Sequence, residues 1–383
     1  MTVLGMFFTR GVSLRKWVES GLFDREVMIY QAHLESGYFS RIYWFTYGAG
    51  DGDVARVLHD SGRLPRSIEV VPCPCWLSFA GRAGSALYSL LLPIFVRRFV
   101  SRCDVLKTNQ MEGSIPALIS AAVWRRPLYV RTGYTLSRVI EKTSPGNWIR
   151  RGIAFANEFL AFRLASIASV SSRYDRDYIV QRFGNKVPRP MIVGNYVDTV
   201  LFSPSNKDET VCDRILYVGR LSPEKNIASA IVACARTGLG LDVIGDGPEL
   251  PRLKEIVVAC GGRVRWLGVL ANKELPDLFH GYRYFILPSY WEGLPKALIE
   301  AMSAGLVCIG NNTTGINEIV KDDVTGYLSP SPDPTALTET IRRALAGDHK
   351  RITHAGREFA AKEFSLQSVV AKEQAIFSRL LVL

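Results

Sequence analysis

No stretch of the 383 residues is long and apolar enough to span a bilayer as a helix. The longest apolar run, Ala86–Val96, is 11 residues and contains Pro93; a spanning helix needs roughly 18–20. The start, Met1–Arg10, lacks the basic segment and small-residue cleavage site of a secretory signal. Histidine is scarce, with His33, His59, His280, His349 and His354 the only five, none in a recognisable site. The seven cysteines are scattered and odd in number, and Cys73-Pro-Cys75 has no second Cys or His pair at zinc-ligand spacing. Reduced thiols in a cytosolic protein follow. Short repeats and low-complexity segments are also missing. With 48% hydrophobic and 22% charged residues, a disordered, fibrous or disulfide-scaffold chain is excluded.

What is present is length for about two domains and an uneven charge. The net charge is +11. Residues 1–200 hold 26 Lys/Arg and 15 Asp/Glu, and residues 201–383 hold 21 of each, so the whole excess lies in the first half. Such a half suits phosphates on a substrate, lipid or nucleic acid. Tyr88–Arg102, Trp124–Arg126 and Asn147–Arg163 mix arginines with aromatic and aliphatic residues, a pattern suited to anionic membrane surfaces and also to amphipathic helices with solvated arginines. No nucleic-acid recognition motif accompanies them.

Strand-like and helix-like segments alternate, as in parallel α/β sheets. Thr2–Phe8, Arg41–Thr46, Asp104–Lys107, Leu128–Arg131 and Ile167–Ser171 read as strands of a first series, with a helix over Asp24–Glu35. A cluster of Pro, Gly and Asn at 188–204, then polar Ser205–Thr210, marks a boundary. A second series follows: Arg214–Val218, Leu241–Ile244, Arg263–Trp266, Tyr284–Leu287 and Val307–Ile309, with a last helix over Ser365–Leu381. Two such sheets predict a ligand in the cleft between them, at strand C-terminal edges.

Three strand ends of the second series carry anion chemistry. Gly219 permits close backbone approach; Arg220 forks phosphate oxygens and Lys225 acts as a point charge. Gly245-Asp-Gly-Pro is a second turn. Phe285–Met302 reads as a buried strand, a loop with Glu292 and Gly293, and a helix starting at Leu294 or Pro295. The helix N-terminus favours an anion, and Glu300, about one and a half turns in, leans back toward the same ligand. A carboxylate there suits paired sugar hydroxyls. Each turn alone reads equally as a surface loop; their succession points to a phosphate-and-sugar ligand. Asp51-Gly-Asp53 reads as a polar loop after Arg41–Thr46, not as a metal site.

Glu292 and Glu300 enclose seven residues. Together with Gly219-Arg220…Lys225, Gly245-Asp-Gly-Pro, Asn195-Tyr-Val-Asp198…Phe202, Ala304-Gly305 and Gly315-Ile-Asn-Glu318…Thr325-Gly326, this E-x7-E pattern resembles glycosyltransferase family 4, over roughly residues 190–345. The resemblance implies a GT-B fold of two Rossmann-like α/β domains facing a cleft: an acceptor-side domain at 1–195, a nucleotide-sugar-binding domain at 196–364 and a helix at 365–383 crossing back onto the first. It implies a retaining, metal-independent, hexosyltransferase-type enzyme with no cofactor, using a UDP or GDP sugar as donor. Arg220 and Lys225 would hold the diphosphate, and Gly219, Gly245, Gly293 and Leu294 would line the donor site. Glu300 would bind the ribose, and Glu292 would lie beside the sugar. On the acceptor side Gly11 stands in place of a Gly-rich loop. Arg131 or Tyr134 would fill the place of the family's histidine, which this sequence lacks. The acceptor would be a glycan or lipid-linked species of lipopolysaccharide, capsule or exopolysaccharide synthesis, met in the cytoplasm at the inner face of the cytoplasmic membrane. The alternatives are a non-catalytic or weakly active nucleotide-sugar-binding protein and a nucleotide-sugar epimerase.

Overall fold

The computed structural model describes residues 2–78, 81–143, 146–204 and 211–382. The polar stretch 205–210 at the expected boundary lies outside them. The chain forms two compact units, Met1–Val193 with Val370–Leu383, and Gly194–Val369. Each is a Rossmann-like α/β domain built on one parallel sheet.

The first sheet has seven strands in the order β3-β2-β1-β4-β5-β6-β7. They are β1 Val3–Phe7, β2 Arg41–Phe45, β3 Ile68–Val71, β4 Val105–Thr108, β5 Leu128–Thr132, β6 Ile167–Val170 and β7 Met191–Ile192. The sequence passes from β3 to β4 across the sheet, so the winding reverses between β1 and β4. The central strands are largely apolar because helices cover both faces, with Lys107 on β4 and Arg131 on β5 as the charged exceptions. Phe8, Trp17 and Trp44 form one aromatic group, with the Phe8 and Trp17 rings stacked at 4.3 Å, and Phe7 packs on Phe45 in another.

Inside this unit lies a buried ionic cluster. Lys107 on β4 donates two hydrogen bonds of 2.7 Å to Glu373 of the last helix, Leu366–Val382. His33 of the helix Phe23–Glu35 lies 3.1 Å from the same carboxylate, and the Arg131 guanidinium lies 3.8 Å away. Burial alone would push the Glu373 carboxyl up. The charge of Lys107, the His33 hydrogen bond and Arg131 outweigh it and hold the carboxyl at about 2.

The second sheet has six strands, β8 Val211–Val218, β9 Gly240–Ile244, β10 Arg263–Gly268, β11 Tyr282–Leu287, β12 Val307–Asn311 and β13 Tyr327–Ser329. Their order is β10-β9-β8-β11-β12-β13, with the reversal between β8 and β11. Asp242 staples four of these strands. Its carboxylate accepts from Arg214 of β8 at 2.7 Å, from Arg265 of β10 and from Tyr282 of β11. Burial opposes its charge, but these donors keep it at about 2.

Three expectations change. Asp51-Gly-Asp53 is not a loop: it opens the helix Asp51–Asp60. The Asp51 carboxylate is buried and accepts the amides of Leu14, Arg15 and Gly48, so it is spent on backbone donors. The helix after β11 begins at Lys296, with Pro295 extended (ψ 110°) as its cap, so Glu300 sits little more than one turn in. Strands β3, β7 and β13 were not foreseen; they are short edge or near-edge strands.

The native state holds Glu373 and Asp242 ionised well below the unfolded range, so it binds fewer protons than the unfolded chain. Stability is therefore complete above about pH 4.5, the ordinary glutamate value, and falls as pH drops toward 2. Glu373→Gln leaves Lys107 buried without its counter-charge and is expected to cost about 3–5 kcal/mol. Urea unfolding at neutral pH checks this.

Candidate functional site

The candidate site forms in the second unit where the winding reverses, the place at which open α/β sheets bind ligands. Past β8 the chain turns at Gly219, whose amide donates to Ile244 at 2.9 Å. The turn after β9 lies directly on it. Gly245 has φ +132°, and a Cβ there would stand 1.9 Å from the Gly219 carbonyl oxygen. A Cβ on Gly247 would stand 2.2 Å from the Leu221 oxygen. No side chain fits at either position, so the two turns touch through backbone alone. Arg220 is exposed, with no carboxylate partner among the described residues.

Lys225 ends a short 3-10 turn, Pro223–Lys225. Its ammonium donates to Glu292 Oε1 at 2.6 Å. Glu292 follows β11, is buried at 8% exposure, and also accepts from the Ser289 hydroxyl at 2.7 Å. Its amide donates to the Thr314 carbonyl at 2.9 Å. Gly315 presses on the same segment: at φ +83°, its Cβ would lie 2.4 Å from the Gly293 oxygen. The amides of Gly293 and Leu294 have no acceptor among the described residues. The Leu294 carbonyl accepts from Asn195 at 3.0 Å. Glu300 is buried, at 4% exposure, in the helix Lys296–Ser303 that follows.

Thus the strand-end turns bearing Gly219, Arg220 and Gly245 are in contact, and Lys225 is bonded to Glu292. Two positions that support the candidate site had escaped notice. Ser289 fixes one oxygen of Glu292. Asn226 adopts the left-handed conformation (φ +50°), and its amide donates to Pro288 at 3.1 Å and Pro332 at 2.9 Å. It thereby ties the Lys225 turn to the end of β11. The only signal was its place beside Lys225, since asparagine tolerates that backbone shape.

In the first unit Gly11 (φ +74°) closes a tight turn after β1, with the Val12 amide on Thr9 at 3.0 Å. The Tyr134 hydroxyl donates to Glu112 Oε1 at 2.9 Å; burial, then that carboxylate, pushes the phenol up. Arg131 joins the buried Glu373 cluster, leaving 12% of its side chain exposed. Of the patches rich in arginine, the helices Gly81–Phe95 and Trp148–Leu164 expose Leu90, Ile94, Trp148 and Ile149, whereas Arg126 is tied to the Ser101 carbonyl at 2.7 Å. No helix among the described residues is long and apolar enough to cross a membrane.

Residues 202–359 match the family model of the glycosyl transferases group 1. The matched stretch lies within the second unit, Gly194–Val369. The chain is 32% identical over 258 residues to the Escherichia coli UDP-Gal:alpha-D-GlcNAc-diphosphoundecaprenol alpha-1,3-galactosyltransferase, covering 63% of this chain and 66% of that one. It is 31% identical over 163 residues to the Escherichia coli O-antigen chain mannosyltransferase B, covering 40% and 42%. The chain thus spans between about a third and two thirds of the curated relatives it matches first. In fold it is similar to Anabaena HepE, solved in complex with UDP, with a TM-score of 0.75 at 19% identity over 99% of this chain and 100% of that one.

Gly245→Ala is expected to destabilise the second unit by roughly 3 kcal/mol, because strained backbone and a carbonyl collision combine. Gly261→Ala has a positive φ but open space around it, and should cost only the ~1–2 kcal/mol of a left-handed alanine. Paired denaturation curves test the difference.

Proposed function

We propose that this protein moves a hexosyl group, with retention of configuration, from a UDP or GDP sugar to a glycan or lipid-linked acceptor in cell-surface polysaccharide synthesis. The observation that carries the reading is the Lys225–Glu292 pair, set between turns of exposed backbone in a domain of the glycosyl transferases group 1. The transferase names of the relatives favour it over an epimerase or an inert binding protein.

The chemistry follows from charge. As the glycosidic bond breaks, negative charge grows on the departing nucleoside diphosphate. Arg220, Lys225 and the free amides of Gly293 and Leu294 are the donors that stabilise it, held in place before the reaction begins. Three sources of positive potential at one diphosphate make a divalent ion dispensable. Glu292 keeps Lys225 in position while the site is empty, and shares it with the diphosphate when donor binds. Its carboxylate then lies beside the sugar. Glu300, behind the helix start, accepts from the ribose hydroxyls. Gly219 and Gly245 contribute the closeness of backbone to ligand. For the acceptor, the first unit offers Gly11 and Tyr134, with Arg131 acting from within its cluster on the end of β5. Peripheral contact with anionic lipid at the inner membrane face fits the exposed apolar and arginine-bearing helices.

Thermal shift against UDP, GDP and their sugars should show one base raising the melting temperature with concentration, and much less in Glu300→Ala. With that donor and a glycan or lipid-linked acceptor, Lys225→Ala should lower kcat about 10²–10³-fold. No shift with any nucleotide contradicts the reading.

A further inference from the structure

A cavity of about 240 Å³ lies wholly in the first unit. Its lining comes from the segments that follow three neighbouring strands: Arg10 beyond β1, Glu112 beyond β4 and Leu136 beyond β5. The winding of this sheet reverses between β1 and β4, so the cavity occupies the other place where such a sheet binds ligands.

Its chemistry is divided. One wall is aliphatic, formed by Ile115, Leu136, Ile140 and Ile153. Arg10 and Arg150 also line it, both exposed and without a carboxylate partner among the described residues. Glu112 is the one acidic residue of the lining, and the Tyr134 hydroxyl already engages one of its oxygens. Its other oxygen is enclosed, away from solvent.

The surroundings are strongly positive. Residues 70–163 contain thirteen Lys/Arg and four Asp/Glu. All four acids are engaged inside the fold: Asp104 with the Val3 amide, Glu112 with Tyr134, Glu141 with Arg182 and Glu158 with the Ser137 amide. An anion is drawn to this lining. A free inorganic anion would have no use for the aliphatic wall. Ile153 lines the cavity yet is 63% exposed, and Ile149, one turn earlier on the same helix face, is 55% exposed. The apolar wall therefore runs on out of the cavity along the helix Trp148–Leu164.

We propose that this cavity binds the phosphate end of a lipid phosphate. Arg10 and Arg150 hold the phosphate, as charge-assisted guanidinium contacts do, and the aliphatic wall takes the first carbons of the chain. At roughly 30 Å³ for each water-sized unit, the cavity encloses only that end, and the rest of the chain follows the exposed edge. The proposal rests on the transferase reading and narrows its acceptor to a lipid-linked one.

Calorimetric titration of the full chain with farnesyl phosphate, below its micelle concentration, tests this. Inorganic phosphate and farnesol are titrated alongside, and nucleotide binding is measured on the same samples. Binding of farnesyl phosphate at least about tenfold tighter than either half-ligand is expected. Arg10→Gln with Arg150→Gln should weaken it about tenfold or more, and Ile153→Glu should do likewise, with nucleotide binding unchanged in both. Equal affinity for inorganic phosphate, or variants that bind like the parent, would overturn the proposal while leaving the donor site intact. Lipid-phosphate binding without any nucleotide binding would support the cavity and overturn the transferase reading.

Discussion

Backbone pressed against backbone is the constraint on which the second unit's site depends. The Gly219 carbonyl occupies the space where a Cβ of residue 245 would stand, and the Gly293 carbonyl occupies that of residue 315. These contacts bring the ends of β8, β9, β11 and β12 within reach of one ligand. They also leave peptide groups, rather than side chains, as the floor of the site. A rigid floor matters because preorganised donors lose nothing to reorganisation when charge develops. Asn226 and Asn311 complete the frame by donating to the Pro288 carbonyl, just past β11 and before Glu292.

Within that frame Lys225 and Glu292 neutralise each other. A lysine held at a carboxylate is placed but not spent, since a diphosphate offers more negative charge than one carboxylate. The same logic runs the other way in the two structural ion clusters. Glu373 and Asp242 are surrounded by cations and deeply buried, so they fasten elements rather than receive ligands. Glu373 fastens the last helix to β4, and Asp242 fastens β8, β9, β10 and β11. Exposure separates the two uses of charge: Arg220, Arg10 and Arg150 face solvent without carboxylate partners among the described residues.

The sheets were legible because buried parallel strands are continuous apolar runs, as in Tyr284–Leu287, and Gly, Pro and Asn punctuate them. Strand β7 has two residues and β13 three, too short to carry a pattern. The E-x7-E loop and helix were legible by composition, but the helix start was placed one or two residues early because proline was read as its first turn. Here Pro295 instead takes an extended ψ as the cap. Asp51 looked like part of a polar loop, since its amide partners at 14 and 15 lie far back in the sequence. The Lys107–Glu373 pair, 266 residues apart, left no local trace. Ser289 and Asn226 were hidden for a related reason: each acts by holding another residue. The stretch Asn147–Arg163 stood out as basic and apolar, but nothing joined it to Arg10 and Glu112, because the cavity's parts come from three separate strand ends and a helix.

The central claim is that Lys225 and Arg220 hold a diphosphate. The direct measurement compares the affinity of the nucleoside diphosphate with that of the corresponding monophosphate, in the parent and in Lys225→Met. The account predicts that the parent favours the diphosphate by tenfold or more, about 1.4 kcal/mol, and that the substitution removes most of this preference while monophosphate binding changes little. An undiminished preference in Lys225→Met would contradict it.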